Sequence, residues 1–263
     1  MKLNQKLPVR LFWTFLIGAI LVAYVIIFSQ PPFISIFKRL LLGKLYKNPL
    51  KVDLKSSELS QAKQYLFKFA HYCRKSSEES IILLRNSDNI LPFTKDDTIS
   101  VFGTPQIQYV RTGTGSGGMV NSLYTTDIIH NLESKGIKIN KQLLKIYEKW
   151  CQDHPVQEGY KAWAFDKPYH EDLPISDSFA KSQSKKSNKA LYLIGRAFGE
   201  GKDAAEEPGG YYLTDQEKSN IKNIVDAFEN VVIGFDSTNI LDMSWIDDPI
   251  YKGRIKGILL LWP

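Results

Sequence analysis

A single carboxylate between two glycines is the group in this sequence that is best placed to do chemistry. Glu200 lies between Gly199 and Gly201, shortly after the apolar run of residues 190–194. In an open α/β sheet, ligands bind in the crevice beyond the carboxyl ends of the strands. Flanking glycines allow the backbone to approach a ligand and leave the carboxylate free to move. We therefore interpret Glu200 as a candidate catalytic residue, with a solvated loop carboxylate as the competing interpretation.

A glycine-rich segment follows the earlier apolar run of residues 99–103 and is the second candidate for ligand binding. Residues 111–121 contain four glycines, with Arg111 and Asn121 at the two ends. Three of the glycines have the spacing of a dinucleotide fingerprint, but that motif forms the turn between a strand and its helix. Here seven residues separate Gly103 from Arg111, and the Gly-Lys-Ser/Thr triplet of a P-loop is missing. The flanking polar residues favour a ligand-facing loop, and a plain flexible linker remains the alternative.

The positive charge of the chain is concentrated at its amino-terminal end. Residues 1–55 carry nine Lys and Arg against the single acid Asp53, a net charge of +8, so the remaining residues sum to −2 within the total of +6. A nucleic-acid-binding protein is expected to carry its basic stripe on the folded domain. We therefore expect no nucleic-acid partner and predict that the basic residues face a membrane surface.

An uncharged apolar segment, residues 11–28, lies within this basic region. Its length meets the lower limit of roughly 17–25 residues for a transmembrane helix. The alternative is a cleaved signal peptide, whose apolar stretch is usually shorter and ends in an Ala-x-Ala-like site. Residues 29–32, Ser-Gln-Pro-Pro, fit such a site poorly, so we predict an uncleaved anchor. Basic residues lie on both sides of the segment, and the positive-inside rule therefore does not decide its orientation.

The two cysteines, Cys73 and Cys151, are too far apart for a metal-ligand spacing or a disulfide framework. Cys73 falls on the apolar face of a predicted helix, where we expect a buried free thiol. The sequence predicts no metal site.

The hydrophobic pattern of the remaining chain alternates between strand-like runs and amphipathic helices, which is typical of an α/β fold with a mainly parallel sheet. The run 190–194 has no polar face, as expected for a strand covered on both sides. Thr214 and Glu217 form the pattern of a capping box that opens a helix. Residues 152–176 lack periodicity, and long loops of this kind are often functional. The predicted strands are residues 80–84, 99–103, 190–194, 231–235 and 257–261, and the predicted helices are residues 59–73, 126–134, 141–150 and 214–228.

Five motifs follow one another along the chain: residues 80–86 with 90–92, 111–118 with 120–121, 195–203 with 212–214, 242–246 and 259–263. Taken in order, they resemble the C-terminal-type α/β sandwich domain of family 3 glycoside hydrolases, the β-glucosidases and their relatives. The likeness covers roughly residues 58–263 and is most like the subgroup in which this sandwich precedes the (β/α)8 barrel. An anchor placed directly before the sandwich fits that domain order.

The resemblance implies that β-linked glycosides are hydrolysed with retention, through a covalent glycosyl-enzyme intermediate. That chemistry needs a carboxylate nucleophile and a carboxylic acid that protonates the leaving oxygen. Glu200 inherits the acid/base role, and a raised pKa in a closed site would keep it protonated for the first step. The glycine-rich segment is implied to bind the substrate, with Ser116 as a hydrogen-bond partner of a sugar hydroxyl and Gly115, Gly117 and Arg111 beside it. The nucleophile of the family is an aspartate on the barrel, which lies outside this sequence, and no cofactor is implied.

The predicted fold is therefore α/β, with a mainly parallel sheet sandwiched by helices, incomplete at its C-terminus and preceded by one transmembrane helix. We divide the chain into residues 1–30, a cytoplasmic tip with the transmembrane anchor; residues 31–57, a basic juxtamembrane linker; and residues 58–263, the sandwich domain. Because the last predicted strand lies beside Pro263, the final residue, we expect a truncated sequence with the missing barrel in the same gene.

The expected function is a membrane-anchored, β-glucosidase-like hydrolase that removes terminal β-linked sugars from a carbohydrate substrate, with its soluble domain outside the cell. The chain alone, holding one of two catalytic carboxylates, is expected to be inactive. Related loops often have Asp-Arg or Asp-Asn after the glutamate, whereas Lys202 and Asp203 here keep only the aspartate. Two alternatives stay open: a non-catalytic, membrane-anchored carbohydrate-binding or scaffold module, and a nucleotide-binding α/β protein.

Overall fold

The computed structural model describes residues 56–109, 126–155, 171–198, 204–237 and 239–261 of the chain. The chain forms two compact units, Met1–Lys68 and Phe69–Pro263. The predicted anchor and residues 31–55 of the predicted linker lie outside the described residues. In the part of the chain that the structure describes, no helix is both long and apolar enough to cross a membrane.

Helices and strands alternate through the described residues, as the hydrophobic pattern predicts. The helices are α1 Ser56–Ser80, α2 Ile128–Ser134, α3 Lys141–Asp153, α4 Asp177–Ser184 and α5 Asp215–Ala227. The strands are β1 Ile82–Asn86, β2 Thr98–Phe102, β3 Lys138–Ile139, β4 Lys189–Arg196, β5 Val231–Ser237 and β6 Ile255–Leu261.

The strands form one sheet in the order β1-β6-β5-β4-β2-β3. All neighbouring pairs are parallel except β1, which runs antiparallel to β6 at one edge. Parallel strands require crossover connections, usually through a helix. Here α2 connects β2 to β3, α3 and α4 connect β3 to β4, and α5 connects β4 to β5. The predicted α/β fold with a mainly parallel sheet is confirmed.

The sheet is buried on both faces, because successive side chains of its central strands enter two different cores. In β4, Tyr192 and Ile194 pack with residues of α3, α4 and α5, whereas Leu191 and Leu193 pack with Ile129 of α2. Every residue of β5 is buried. Strands that are covered on both faces consist of nearly continuous apolar residues. For this reason the apolar runs of β4 and β5 predict strands clearly from the sequence.

The helix after β4 begins at the predicted capping box. The Thr214 hydroxyl accepts a hydrogen bond from the Glu217 backbone N–H (3.1 Å), and Glu217 Oε2 accepts one from the Thr214 backbone N–H (2.7 Å). Two of the free N–H groups at this helix end are thereby satisfied. The start of α5 is fixed in position relative to the turn that precedes it.

Two predictions about burial are wrong. The run 80–84 was expected to be a buried strand, but Ile82 and Leu83 of β1 are 44% and 52% exposed. β1 is an edge strand with a partner on one side only, and an apolar run by itself does not distinguish an edge from a centre. Cys73 was expected to be buried, but it is exposed on α1, whereas Cys151 on α3 is buried.

The sequence pattern missed two short elements. The helix α4 carries few apolar residues, although its Ser176 cap accepts from the Phe179 backbone N–H, and Ala180 is fully buried. The strand β3 has only two residues, paired in parallel with β2. Both are too short or too polar to leave a periodic stripe, so tertiary packing, not local pattern, determines them.

Candidate functional site

The predicted site residues lie in segments that the structure does not describe. Glu200 falls within residues 199–203, and the remaining four fall within residues 110–125. Their roles therefore stay predictions, while the residues on either side of each segment are placed. The four in the glycine-rich segment are Arg111, Gly115, Ser116 and Gly117.

Both segments start from the carboxyl ends of neighbouring parallel strands. After β2, the turn Thr104–Gln106 leads toward the glycine-rich segment, and β4 ends three residues before Gly199. Phe102 of β2 pairs with Tyr192 of β4 in the sheet register. Parallel pairing therefore brings the carboxyl ends of both strands to one edge of the sheet, the edge at which open α/β folds bind ligands.

Gly103 lets the end of β2 approach β4 closely. Its φ of +95° favours glycine, and a Cβ atom there would lie 2.1 Å from the carbonyl oxygen of Leu193. The following turn is held from within by buried Gln106, whose Nε2 donates to the carbonyl oxygens of Val101 (2.9 Å) and Gly103 (3.1 Å). The chain leading to the glycine-rich segment is thus packed against β4.

A buried ion pair lies at the end of β4. Arg196, whose side chain is 0% exposed, donates from Nη1 and Nη2 to the two carboxylate oxygens of Glu217 at 2.6 and 2.7 Å. Its Nε and Nη2 also donate to the carbonyl oxygens of Gly210 (3.2 Å) and Tyr212 (3.4 Å). A two-pronged guanidinium–carboxylate contact fixes orientation as well as distance. One side chain therefore joins β4, the start of α5 and the backbone between them.

A second buried carboxylate, Asp172, lies beneath the end of β2. Its Oδ1 accepts from the backbone N–H groups of Thr104 (3.2 Å) and Leu173 (2.9 Å). Its Oδ2 accepts from the Tyr192 hydroxyl (2.7 Å) and from Asn220 Nδ2 (3.2 Å). Asp172 thus connects the turn after β2 with the central strand β4 and with α5.

Burial raises the pKa of Asp172 to about 7, and the negative charge of Glu217 adds to this rise, whereas hydrogen bonds from Tyr192, Leu173 and Asn220 oppose it. Burial and the charge of Asp172 also raise the pKa of Tyr192 and of nearby Tyr147 well above the usual range. Both tyrosines therefore remain neutral hydroxyls. Asp172 is the titrating group of this cluster, and it changes charge near neutral pH.

A third carboxylate, Asp236, is buried at the carboxyl end of β5 and is paired in register with Gly195. Burial, with the charge of Asp236, raises the pKa of Tyr109, the last described residue before the glycine-rich segment. Because β2, β4 and β5 are neighbouring parallel strands, their carboxyl ends lie at the same edge of the sheet.

Four polar residues of this region were not predicted from the sequence to belong to it. Glu217 was recognised only as a helix cap, and no local signal links it to Arg196, which lies 21 positions earlier. Asp172 belongs to the aperiodic stretch of residues 152–176, in which no local pattern points to this residue. Among the residues that the structure describes, no group of three or more His, Cys, Asp or Glu side chains is arranged to hold a metal ion. The missed residues are Asp172, Arg196, Glu217 and Asp236.

Replacing Asp172 should remove part of the pH dependence of stability. A folded-state pKa raised above the unfolded value means that the folded protein binds the extra proton, so stability falls as pH rises from the unfolded pKa toward about 7. Between about pH 5 and pH 8, wild-type protein should lose roughly 2–3 kcal/mol from this group. Asp172→Asn should lack that loss, as measured by urea unfolding at several pH values.

Asp97→Asn is the matched control, because Asp97 is also a buried aspartate. Burial alone would raise the pKa of Asp97. Hydrogen bonds from Thr94 and the contact with Lys189 outweigh this effect and hold that pKa below its usual value. Its stabilisation is lost only as pH falls toward that pKa, so Asp97→Asn should keep the wild-type slope in the same range. An unchanged slope in Asp172→Asn would contradict the prediction.

Comparison of the sequence with known proteins finds one family model. Residues 81–263 match the glycosyl hydrolase family 3 C-terminal domain. A β-glucosidase of Ruminococcus albus is 36% identical over 185 residues, covering 70% of this chain and 19% of the relative. Beta-glucosidase A of Butyrivibrio fibrisolvens is 25% identical over 210 residues, covering 70% of this chain and 24% of the relative.

Comparison with solved structures also finds β-glucosidases. A β-glucosidase from Paenibacillus barengoltzii superimposes with a TM-score of 0.70 at 38% identity, covering 74% of this chain and 21% of that protein. β-Glucosidase 3B from Thermotoga neapolitana, solved in complex with α-D-glucose, gives 0.61 at 28% identity, covering 74% and 27%.

The matched region is the part of the chain in which the sheet and the buried polar cluster are described. The chain spans 19% to 27% of the length of these relatives. The family model covers all six strands, from β1 to β6. This chain therefore belongs to glycosyl hydrolase family 3, and it contains the C-terminal-type α/β domain of that family.

Proposed function

We propose that this chain is the acid/base-bearing domain of a β-glucosidase-like hydrolase that cleaves terminal β-linked sugars with retention of configuration. The observation that carries the proposal is the position of Glu200, which follows the end of β4 within the region matched by the family model. The carboxyl end of a central parallel strand is where an α/β sheet offers its ligand crevice. A glutamate there can reach a substrate bound across that edge.

In the proposed reaction, Glu200 donates its proton to the glycosidic oxygen while the bond between that oxygen and the anomeric carbon breaks. A carboxylate nucleophile forms a bond to the anomeric carbon, which gives a covalent glycosyl-enzyme. The resulting Glu200 carboxylate then accepts a proton from water. The water oxygen bonds to the anomeric carbon, and the nucleophile leaves as a carboxylate. We propose that this nucleophile comes from a barrel encoded in the same gene.

The glycine-rich segment supplies the second part of the proposal. We place Ser116 in hydrogen-bond contact with a sugar hydroxyl, with Gly115 and Gly117 allowing close backbone approach and Arg111 flanking them. The chain leaves β2 toward this segment next to the point where it leaves β4 toward Glu200, because the two strands are neighbours in the sheet. We propose that one sugar ring bound at this edge contacts both segments. The relatives are β-glucosidases, and one of them binds glucose, which favours a glucoside as substrate.

We also propose that residues 11–28 anchor the protein in the cell membrane and that the family 3 domain lies outside the cell. Support for the anchor comes from the uncharged length of this segment. The outward orientation is proposed because it suits an enzyme that acts on glycans outside the cell. An alkaline phosphatase reporter fused after Pro263 should be active, and the fusion should resist carbonate extraction. A fusion that is extracted as a soluble protein, or that is active only with a cytoplasmic reporter, would contradict this topology.

Removal of the Glu200 carboxylate should abolish general acid/base catalysis. In the protein expressed from its complete coding sequence, Glu200→Ala should lower kcat for 4-nitrophenyl β-glucoside by about 100-fold or more, because hydrolysis of the glycosyl-enzyme loses its general base. Azide should restore part of the turnover, because it attacks the glycosyl-enzyme without needing a general base, and the product should be β-glucosyl azide. Initial rates and product analysis measure both effects.

Glu206→Gln is the matched control, since Glu206 is an exposed carboxylate on the same connection between β4 and α5. It should leave both kcat and kcat/KM within about twofold of wild type, as expected for a substitution away from the site. An active Glu200→Ala variant, or equal losses in both variants, would reject the catalytic assignment. If the complete protein binds β-glucosides through Ser116 but does not hydrolyse them, the chain is a carbohydrate-binding module.

A further inference from the structure

The five residues that carry Glu200 are bounded by two described residues, Phe198 on the β4 side and Ala204 on the α5 side. A catalytic carboxylate on such a connection is placed only as accurately as the two ends of the connection. Residues around both ends belong to one cluster built on Arg196.

The first end is fixed by the position of Arg196 at the last residue of β4. This residue pairs in register with Ser237 of β5, and its buried guanidinium is held by the two oxygens of Glu217. Glu217 is in turn fixed by the Thr214 backbone N–H at the start of α5. Phe198 follows two residues later and is itself buried. The chain therefore enters the Glu200 segment from a rigid point.

The second end is fixed through the backbone that Arg196 contacts. The carbonyl oxygen of Ala205 accepts from the backbone N–H groups of Glu207 (2.8 Å) and Tyr211 (2.9 Å), which closes a compact turn. Gly210 packs so tightly in this turn that a Cβ atom on it would lie 2.4 Å from that same oxygen. The carbonyl oxygen of Gly210 accepts from Arg196 Nε. Arg196 thus reaches the second end through Gly210 and Ala205.

A buried ion pair of this kind is weak evidence for stability, because the cost of desolvating both charges offsets most of their attraction. This pair differs in its further contacts, because the guanidinium also donates to backbone oxygens on both sides of the Glu200 segment. The acceptors are the carbonyl oxygen of Gly195 (2.9 Å) before the segment and those of Gly210 (3.2 Å) and Tyr212 (3.4 Å) after it. A planar fork of donors suits such a role, since it fixes several acceptors in one geometry.

We propose that Arg196 is a positioning residue for the acid/base carboxylate, acting with Glu217 and Gly210 to hold both ends of the segment that carries Glu200. This inference rests on the proposed function. General acid catalysis is sensitive to such placement, since a displacement of about 1 Å far from the reacting atoms can cost on the order of 100-fold in rate. The effect should be largest for substrates whose leaving group needs a proton.

Gly210→Ala tests this positioning role without removing a charge. The added methyl group forces Gly210 and Ala205 apart, while Arg196 and Glu217 stay paired. Gly253→Ala is the control: Gly253 has a φ of +75°, which strains an alanine, and no atom lies within 4 Å of its Cβ position. Gly253 belongs to the turn before β6 and has no part in the cluster.

Hydrogen exchange on the 263-residue chain in detergent measures the placement directly. Peptides covering residues 197–206 should exchange faster in Gly210→Ala than in wild type, and at the wild-type rate in Gly253→Ala. Unchanged exchange in Gly210→Ala would overturn the inference, as would an equal increase in both variants. This measurement does not depend on any catalytic activity.

Leaving-group dependence in the complete protein separates the inference from the proposed function. Gly210→Ala should lower kcat/KM by about 100-fold for methyl β-glucoside but by less than about threefold for 2,4-dinitrophenyl β-glucoside. Gly253→Ala should affect neither. If Glu200→Gln shows no such selectivity, the acid/base assignment fails. If Glu200→Gln shows it and Gly210→Ala does not, only the positioning role fails.

Discussion

Parallel pairing of β2, β4 and β5 is the constraint on which the rest of this structure depends. Because the three strands run in one direction, their carboxyl ends meet at one edge, and the connections that leave them start side by side. The apolar runs that form these strands are buried on both faces, so the edge itself has little freedom to shift. A site whose residues come from separate loops can hold a precise geometry only if the strand ends that carry those loops are fixed.

Beneath that edge, the sequence places carboxylates where apolar residues would be the ordinary choice. Arg196 offsets the charge of Glu217, whereas Asp172 is surrounded by four hydrogen-bond donors and no cation among the described side chains that contact it. Burying such groups costs free energy unless they are satisfied. The carboxylates of Glu217 and Asp172 share one feature. Each of them joins the end of a strand to the backbone of a neighbouring loop, and this gives the edge of the sheet a defined shape.

Much of the fold could be predicted from local patterns. Strands such as β4 and β5, and the capping box at Thr214, are each predicted by a pattern only a few residues long. The candidate site could be predicted only in part. The motif around Glu200 is contiguous, but the pairing of Arg196 with Glu217 and the contacts of Asp172 join residues that are far apart in the chain. Such contacts arise from tertiary packing, which a single sequence does not display. The exposure of β1 was missed for the same reason.

The proposed role of Glu200 as the proton donor of a retaining hydrolysis is tested most directly by the pH dependence of kcat/KM. In the complete protein, the profile for a substrate with a poor leaving group should be bell-shaped, with the alkaline limb reporting loss of the essential acid. Glu200→Gln should lower the rate and remove the alkaline limb, because its amide does not titrate. An alkaline limb that persists unchanged in Glu200→Gln would contradict the account, since another group would then supply the proton.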